Sequence, residues 1–214
     1  TDAVQIVGKE PLNLKDSAID LLSLSGHKLH APKGVGVLYV RRGTRIATFM
    51  HGGHQESGRR GGTENVPGII ALGKACELAF RNMAEETTRV KALRDKLEAG
   101  LLASCPDCFV NGDTENRLPN TCNISFEFIE GESILMLLDQ FGVCASSGSA
   151  CTSGALEPSH VLRAMGVPFT AAHGSIRFSL SRYNTEQEVD FVIEKMPPIV
   201  NRLRELSPFV KTGS

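Results

Sequence analysis

Hydrophobic and polar positions follow one pattern up to about residue 84 and another beyond it. The first part has short apolar runs and a glycine-rich loop, which is typical of an α/β domain. The second part alternates short strands with amphipathic helices, which is typical of a smaller α+β domain. The pattern therefore predicts an α/β protein with two domains, residues 1–83 and 84–214.

The first part begins with the end of a strand at residues 3–7 and a short apolar run at 20–24, suited to a buried parallel strand. Runs at 35–41 and 45–50 flank a turn and predict a β-hairpin. A basic, glycine-rich loop then precedes a helix with Asn65 as N-cap and Pro67 in its first turn. This helix is apolar nearly all round, so we expect it to be buried.

The second part opens with a helix over 85–103, whose apolar face holds Val90, Leu93, Leu97, Leu101 and Leu102. Strands are expected at 109–111, 121–128, 143–145 and 175–181, and helices at 131–141 and 158–165. Residues 184–188 have the capping chemistry of a last helix, which Pro197 and Pro198 should kink or break.

Composition excludes some classes of function. The 23 Lys and Arg balance 24 Asp and Glu, so there is no basic footprint for nucleic acid. No apolar run approaches the roughly 18 residues that a membrane helix needs, so no membrane partner is expected. Six cysteines lie scattered through a core-rich chain, which favours a reducing, cytoplasmic compartment over a disulfide scaffold.

Two close pairs of metal-ligand residue types occur, but neither predicts a metal site. Cys105 and Cys108 have the spacing of a redox motif, yet zinc would want a second such pair, so we interpret them as an incidental pair at a helix end. His51 and His54 lie among glycines without a third ligand.

The stretch Ser25-Gly26-His27-Lys28 directly follows the apolar run at 20–24. Apolar surroundings and neighbouring cations lower the pKa of a lysine, so Lys28 is a candidate for amine chemistry near neutral pH. The alternative interpretation is a solvated lysine in a polar loop.

A second candidate is Cys151, which lies among Ser, Gly, Ala and Thr at positions 146–154. A loop of small residues is flexible and exposed, where a structural cysteine is least expected.

With Asp2-Ala3-Val4-Gln5 added to these two motifs, the chain resembles the cysteine desulfurases of the NifS/IscS family. These are pyridoxal phosphate (PLP) enzymes of the aminotransferase-like fold type I, related to aminotransferase class V. The resemblance implies part of the large PLP-binding domain followed by the C-terminal small α+β domain. Residues 181–184 and 196–200 look closer to the nitrogen-fixation NifS branch. Because family members have a long region before this point, we expect a C-terminal half that alone binds PLP poorly.

The resemblance assigns a role to each residue of the PLP site. Lys28 would hold PLP covalently and move protons, and Asp2 would keep the pyridine nitrogen protonated. Gln5 would contact the ring hydroxyl. Ser25, Gly26 and His27 match the phosphate-side loop, and His27 also counts among the catalytic residues.

The remaining roles concern the partner subunit and the substrate. Thr63 would reach the PLP of the neighbour in a homodimer, and free amides at the start of the following helix would suit its phosphate. Arg177, on an alternating strand, would grip the substrate carboxylate with its planar fork. Cys151 would accept sulfur as a persulfide.

The function implied is conversion of L-cysteine to L-alanine, with sulfur passed to a scaffold protein for iron–sulfur cluster assembly. Two alternatives remain: a selenocysteine lyase or another PLP enzyme, such as an aminotransferase, and a non-catalytic fragment that docks to a scaffold protein.

Overall fold

The computed structural model describes residues 1–147 and 158–208. The chain divides into two compact units, Thr1–Ala84 and Glu85–Ser214. Each unit has a hydrophobic cluster of its own, a small one in the first and a large one in the second.

The first unit is built on two antiparallel strands, β1 (Leu21–Ser25) and β2 (Gly36–Val40). The N-terminal residues lie along β1 in the parallel direction, with Asp2 opposite Ser23. The Ala3 amide donates to the Ser23 carbonyl over 2.9 Å, and the Ser23 amide donates to the Thr1 carbonyl over 3.1 Å. The strand expected at 20–24 is confirmed as β1. It was expected to be a parallel strand, but its longer pairing, with β2, is antiparallel.

The β-hairpin predicted for residues 35–41 and 45–50 does not form, so this prediction is wrong. A turn does form, since the Thr44 amide donates to the Arg41 carbonyl over 3.0 Å, but no strand follows it. Residues 36–40 pair with β1 instead, because a short 3₁₀ turn (Gly26–Leu29) brings the chain back beside it. The Gly26 amide donates to the Val35 carbonyl over 2.8 Å and closes this connection.

Three helices follow in the first unit: α1 (Gln55–Gly58), α2 (Val66–Arg81) and α3 (Met83–Glu85), which reaches the boundary between the units. Leu72 and Ala75 of α2 pack with Leu29 and Ala31. The expectation that α2 is buried all round is wrong for this unit, where Ile70 is 69% exposed. An apolar pattern predicts which faces of a helix are buried. In this unit, other elements cover only the face of α2 that carries Leu72 and Ala75.

The second unit contains α4 (Lys91–Ser104), α5 (Gly131–Asp139), α6 (His160–Ala164), α7 (Phe169–His173) and α8 (Glu186–Leu206). A π-helical turn (Glu86–Val90) precedes α4. Strands β3 (Cys108–Val110), β4 (Thr121–Phe126) and β5 (Ser175–Ser179) form one antiparallel sheet in that order. These elements confirm the predictions to within a few residues, except that no strand forms at 143–145.

One face of this sheet carries the core of the second unit. Cys122, Ile124 and Phe126 of β4 alternate with polar residues and are at most 1% exposed. They join buried residues of α4, α5 and α8 in one cluster, which includes Leu97, Leu101, Ile134, Leu138, Met196 and Val200. Leu102, expected on the buried face of α4, is 39% exposed because it lies beside that face.

The expected break at Pro197 and Pro198 does not occur, since α8 continues through both prolines. A proline in a helix interior costs about 3 kcal/mol. The neighbouring Met196, Ile199 and Val200 are nearly fully buried, and each such side chain contributes about 1.5–3 kcal/mol. At its start, α8 has a capping box in which Thr185 and Glu188 bond each other's backbone amides.

Candidate functional site

In the first unit, the candidate residues near the sheet follow the carboxyl ends of two neighbouring segments. The segment 1–3 and β1 run parallel, with Asp2 opposite Ser23, so their carboxyl ends lie on the same side. Gln5 follows the first strand end and Lys28 follows the second. The carboxyl edge of parallel strands is where α/β proteins bind their ligands.

Ser25, Gly26, His27 and Lys28 form the end of β1 and the start of the 3₁₀ turn. Gly26 is buried, and a Cβ there would lie 2.9 Å from Val35 Cγ1, so the close connection to β2 requires glycine. His27 and Lys28 are exposed. Within the described residues, the side chains of Ser25, His27 and Lys28 make no hydrogen bond, so all three are available to a ligand.

The expectation of apolar surroundings for Lys28 is wrong in this structure. Lys28 is exposed, and the neighbouring strand β2 leaves Val37 and Leu38 partly exposed as well, at 42% and 57%. The strand signal correctly placed the lysine but could not show how much of the surroundings this unit supplies.

Asp2 caps the turn that follows it, because its Oδ1 accepts a hydrogen bond from the Val4 amide over 2.8 Å. The side chain is exposed, and Gln5 is exposed within the same turn. This bond fixes the carboxylate at the strand end.

Thr63 lies in the glycine-rich loop, three residues before α2. The loop closes on itself through a 2.7 Å bond from the Gly61 amide to the Met50 carbonyl. A Cβ on Gly61 would come within 2.9 Å of the Gly52 Cα, so this closure requires glycine. The hydroxyl of Thr63 is exposed, and no described contact joins it to the residues at the carboxyl edge.

The expected free amides at the start of α2 are not present. The Val66 amide donates to the Glu64 carbonyl over 2.9 Å, and the Gly68 amide donates to Asn65 Oδ1 over 3.1 Å. Pro67 has no amide proton. The same capping residue that correctly predicted the helix start therefore removes its capacity to bind a phosphate by these amides.

Arg177 occupies the middle of β5 in the second unit and is half-buried. Its Nε is buried and has no hydrogen-bond partner among the described residues. On one side its backbone pairs with Asn123 of β4, and on the other with Ser146, whose carbonyl accepts from the Arg177 amide over 2.6 Å. An unpaired buried guanidinium nitrogen is costly unless a ligand supplies an acceptor.

Cys151 lies outside the described residues. Of the other cysteines, three have thiols with a raised pKa because burial disfavours the thiolate: Cys105, Cys108 at about 11, and Cys122 at about 12. The thiolate is the nucleophile, so these three are poor sulfur carriers at neutral pH. Cys144, near the end of the described range 1–147, is exposed.

Cys105 and Cys108 do lie at the end of α4 and the start of β3, and both are free thiols. The Cys108 thiol donates to the Cys105 carbonyl over 2.9 Å. In residues 1–147 and 158–208, no cluster of three or more His, Cys, Asp or Glu side chains could hold a metal ion. None of the helices in these ranges has the length and hydropathy needed to span a bilayer.

Sequence reasoning missed Asn111 and Asn123, which lie in line with Arg177 across the sheet. The alternation in β4 marks Asn123 and Ser125 as polar-face residues, but only the strand register shows which residue they face.

Comparison with known proteins identifies the family and the fold of this chain. The aminotransferase class-V family profile matches residues 1–192, and the chain belongs to that family, whose members have the PLP-dependent fold type I. A solved structure of a NifS-like protein superposes with a TM-score of 0.84 and 40% identity, covering 94% of this chain and 52% of that one.

Within the family, the similarity is to cysteine desulfurases. The chain is 68% identical over 209 residues to a cysteine desulfurase of Gluconacetobacter diazotrophicus. It is 66% identical over 209 residues to the cysteine desulfurase NifS of Azotobacter vinelandii. Both alignments cover 98% of this chain and 52% of the relative, so the chain spans about half the length of these proteins.

Proposed function

We propose that this chain carries the reactive residues of a PLP-dependent cysteine desulfurase, which converts L-cysteine to L-alanine and leaves a persulfide on Cys151. The observation that carries the proposal is the identity of 66–68% to curated cysteine desulfurases over nearly the whole chain. The first unit would be part of the large PLP-binding domain, and the second the small domain.

The side chains at the carboxyl edge fit a PLP molecule. Ser25, His27 and Lys28, whose side chains make no described hydrogen bond, and the carboxylate of Asp2 follow two neighbouring strand ends. These groups suit a ring that carries an anionic phosphate and a protonated nitrogen. The residues that would hold the cofactor are Asp2, Gln5, Ser25, Gly26, His27, Lys28 and, from a neighbouring subunit, Thr63. When bound, PLP supplies an electron sink for the bonds around the substrate α-carbon.

Each residue has a chemical task in this proposal. Asp2 would keep the pyridine nitrogen of the cofactor protonated by holding a negative charge beside it. Lys28 would anchor the cofactor and would take and return protons at the substrate α-carbon, and His27 would serve as a second group for proton transfer. Arg177 binds the substrate carboxylate through the guanidinium edge that has no described partner.

The sulfur transfer step balances without an external oxidant. The Cys151 thiolate attacks the substrate sulfur and forms an S–S bond while the substrate C–S bond breaks. The electron pair of the C–S bond stays on the substrate carbon, which takes up a proton and leaves as L-alanine. Cys151 keeps the persulfide and passes its terminal sulfur to an acceptor protein.

The relatives support a proposal for the biological setting. Sulfur would go to a scaffold protein for iron–sulfur cluster assembly, and the similarity to the Azotobacter vinelandii NifS favours a role in nitrogen fixation. The active form would be a homodimer in the cytoplasm, where the free thiols of this chain stay reduced.

The second candidate is a selenocysteine lyase or another PLP enzyme, in which Arg177 and Lys28 keep their roles but no thiol carrier is needed. A non-catalytic fragment that docks to a scaffold protein would need neither. Only the desulfurase gives Cys151 a task.

The test is to incubate the PLP-loaded protein with L-cysteine and measure alanine and protein-bound persulfide. The proposal predicts about one persulfide per active site in a first turnover, together with one alanine. Alanine without persulfide, or activity confined to selenocysteine, would favour the second candidate. A PLP-loaded protein that forms neither alanine nor persulfide and does not act on selenocysteine would favour the docking fragment.

A further inference from the structure

A row of polar residues crosses the three-stranded sheet at the level of Arg177. In the register of the sheet, Asn123 lies directly opposite Arg177. The pairing of β3 with β4 continues past Val110, where the Asn111 amide donates to the Asn123 carbonyl over 2.8 Å. The polar row is therefore Asn111, Asn123, Arg177 and, beyond β5, Ser146.

The polar row lies on the face of the sheet opposite the core. Directly opposite residues of antiparallel strands project on the same side, with Cβ atoms about 4.5–5.5 Å apart. The flanking residues Cys122 and Ile124 belong to the buried cluster, so Asn123 and Arg177 share the other face.

The hydrogen bonds within the row orient Asn123. The Nδ2 group of Asn111 donates to Asn123 Oδ1 over 2.6 Å and to Ser125 Oγ over 2.8 Å. With its oxygen engaged by Asn111, Asn123 has its own Nδ2 group left as a donor that makes no hydrogen bond within the described residues.

Asn123 Nδ2 and the guanidinium of Arg177 are both donors, so they cannot satisfy each other. Arg177 Nε is buried and unpaired within the described part of the chain. An acceptor bound from outside the described residues can satisfy both residues, and a carboxylate has oxygens for both.

We propose that Asn123 is a second hydrogen-bond donor to the substrate carboxylate that Arg177 binds, and that Asn111 is the positioning residue that holds the Asn123 amide in the donating orientation. This inference rests on the proposed function only for the identity of the substrate as an amino acid. Asn123, on β4, would then be a specificity determinant for the carboxylate that no sequence motif indicated.

The experiment compares two amines that differ by the carboxylate alone: L-alanine, which is the expected product, and ethylamine. Their dissociation constants are measured on the PLP-loaded protein from the change in cofactor absorbance. Asn123→Ala should weaken L-alanine binding about 10- to 100-fold, as expected for losing one charge-assisted hydrogen bond. Ethylamine binding should stay within about twofold, because it makes no contact with the polar row.

Two further variants separate contact from structure. Asn111→Ala leaves Asn123 in place but frees its amide to rotate, so it should weaken L-alanine binding less than Asn123→Ala does and again spare ethylamine. Thr121→Ala, two positions from Asn123 on the same strand and paired with Ser179, is the matched control and should change neither constant.

Equal losses for both amines, or no loss for either in Asn123→Ala, would overturn the inference. If Asn123→Ala does not fold, Asn111→Ala gives the same comparison of the two amines. The measurement does not depend on desulfuration: a parent protein that makes no alanine from L-cysteine would contradict the proposed function, while the two amines would still test Asn123.

Discussion

Replacing Arg177 with alanine should weaken substrate binding without weakening the fold, because of how this guanidinium is held. Its Nε is buried without a partner in the described structure, so the folded protein gains no hydrogen bond from it. An unpaired buried donor costs about 1–3 kcal/mol, and its removal offsets the loss of packing by the aliphatic stem. We therefore expect the free energy of unfolding of Arg177→Ala to stay within about 1 kcal/mol of the parent value.

Arg94 is the matched control, since it is an arginine of the same unit with its partners inside the protein. It is 2% exposed, and Nε donates to Asp95 Oδ1 over 2.7 Å. Nη1 donates to the carbonyls of Leu118 and Thr121 over 3.2 and 3.3 Å. Arg94→Ala removes all three bonds and should lower the free energy of unfolding by about 3 kcal/mol.

The two variants should also differ in the binding assay: Arg177→Ala should lose affinity for L-cysteine, whereas Arg94→Ala should keep it. Removing one member of a buried charge pair costs roughly 2–5 kcal/mol, which is about 30- to 5,000-fold in L-cysteine affinity for Arg177→Ala. PLP should stay bound, as followed by its absorbance, while urea unfolding followed by circular dichroism gives the stability. The reasoning is refuted if Arg177→Ala destabilises the protein as much as Arg94→Ala does and leaves the Michaelis constant for L-cysteine unchanged.

Two other predictions concern single side chains. Borohydride reduction of the PLP-loaded protein should fix the cofactor to Lys28, and peptide mapping that finds it on Lys33 would contradict the assignment. In the native protein at pH 7–9, iodoacetamide should label Cys144 and leave Cys108 and Cys122 unmodified, because a pKa raised to about 11 or about 12 keeps these two thiols protonated until the pH approaches those values. Labelling of Cys122 at pH 8, at the rate seen in denatured protein, would contradict the burial of this thiol in the folded protein.

Local chemistry was the most predictable part of the fold. The N-cap at Asn65 and the capping box at Thr185 each depend on residues within one helical turn, and both form as the sequence indicates. The alternation in β5 likewise predicts which side of the strand Arg177 occupies. Such signals are decided by neighbours in the chain and need no knowledge of the rest of the molecule.

Pairings between distant segments were not predictable in the same way. β2 pairs with β1 rather than with the nearer segment at 45–50, and α8 continues through two prolines because buried neighbours hold it. The line from Asn111 through Asn123 to Arg177 depends on the register of three strands, which the polar residues alone do not fix. Periodicity gives the face of a residue, whereas the residue opposite it is set by tertiary packing.

The most direct test of the desulfurase assignment is alanine production from L-cysteine by the Cys151→Ser variant in its PLP-loaded form, with Cys144→Ser as the matched control. The account predicts that Cys151→Ser forms neither alanine nor persulfide while the PLP absorbance is unchanged, and that Cys144→Ser keeps most of the activity. Normal alanine production by Cys151→Ser would contradict the account and would favour a PLP lyase that needs no thiol carrier.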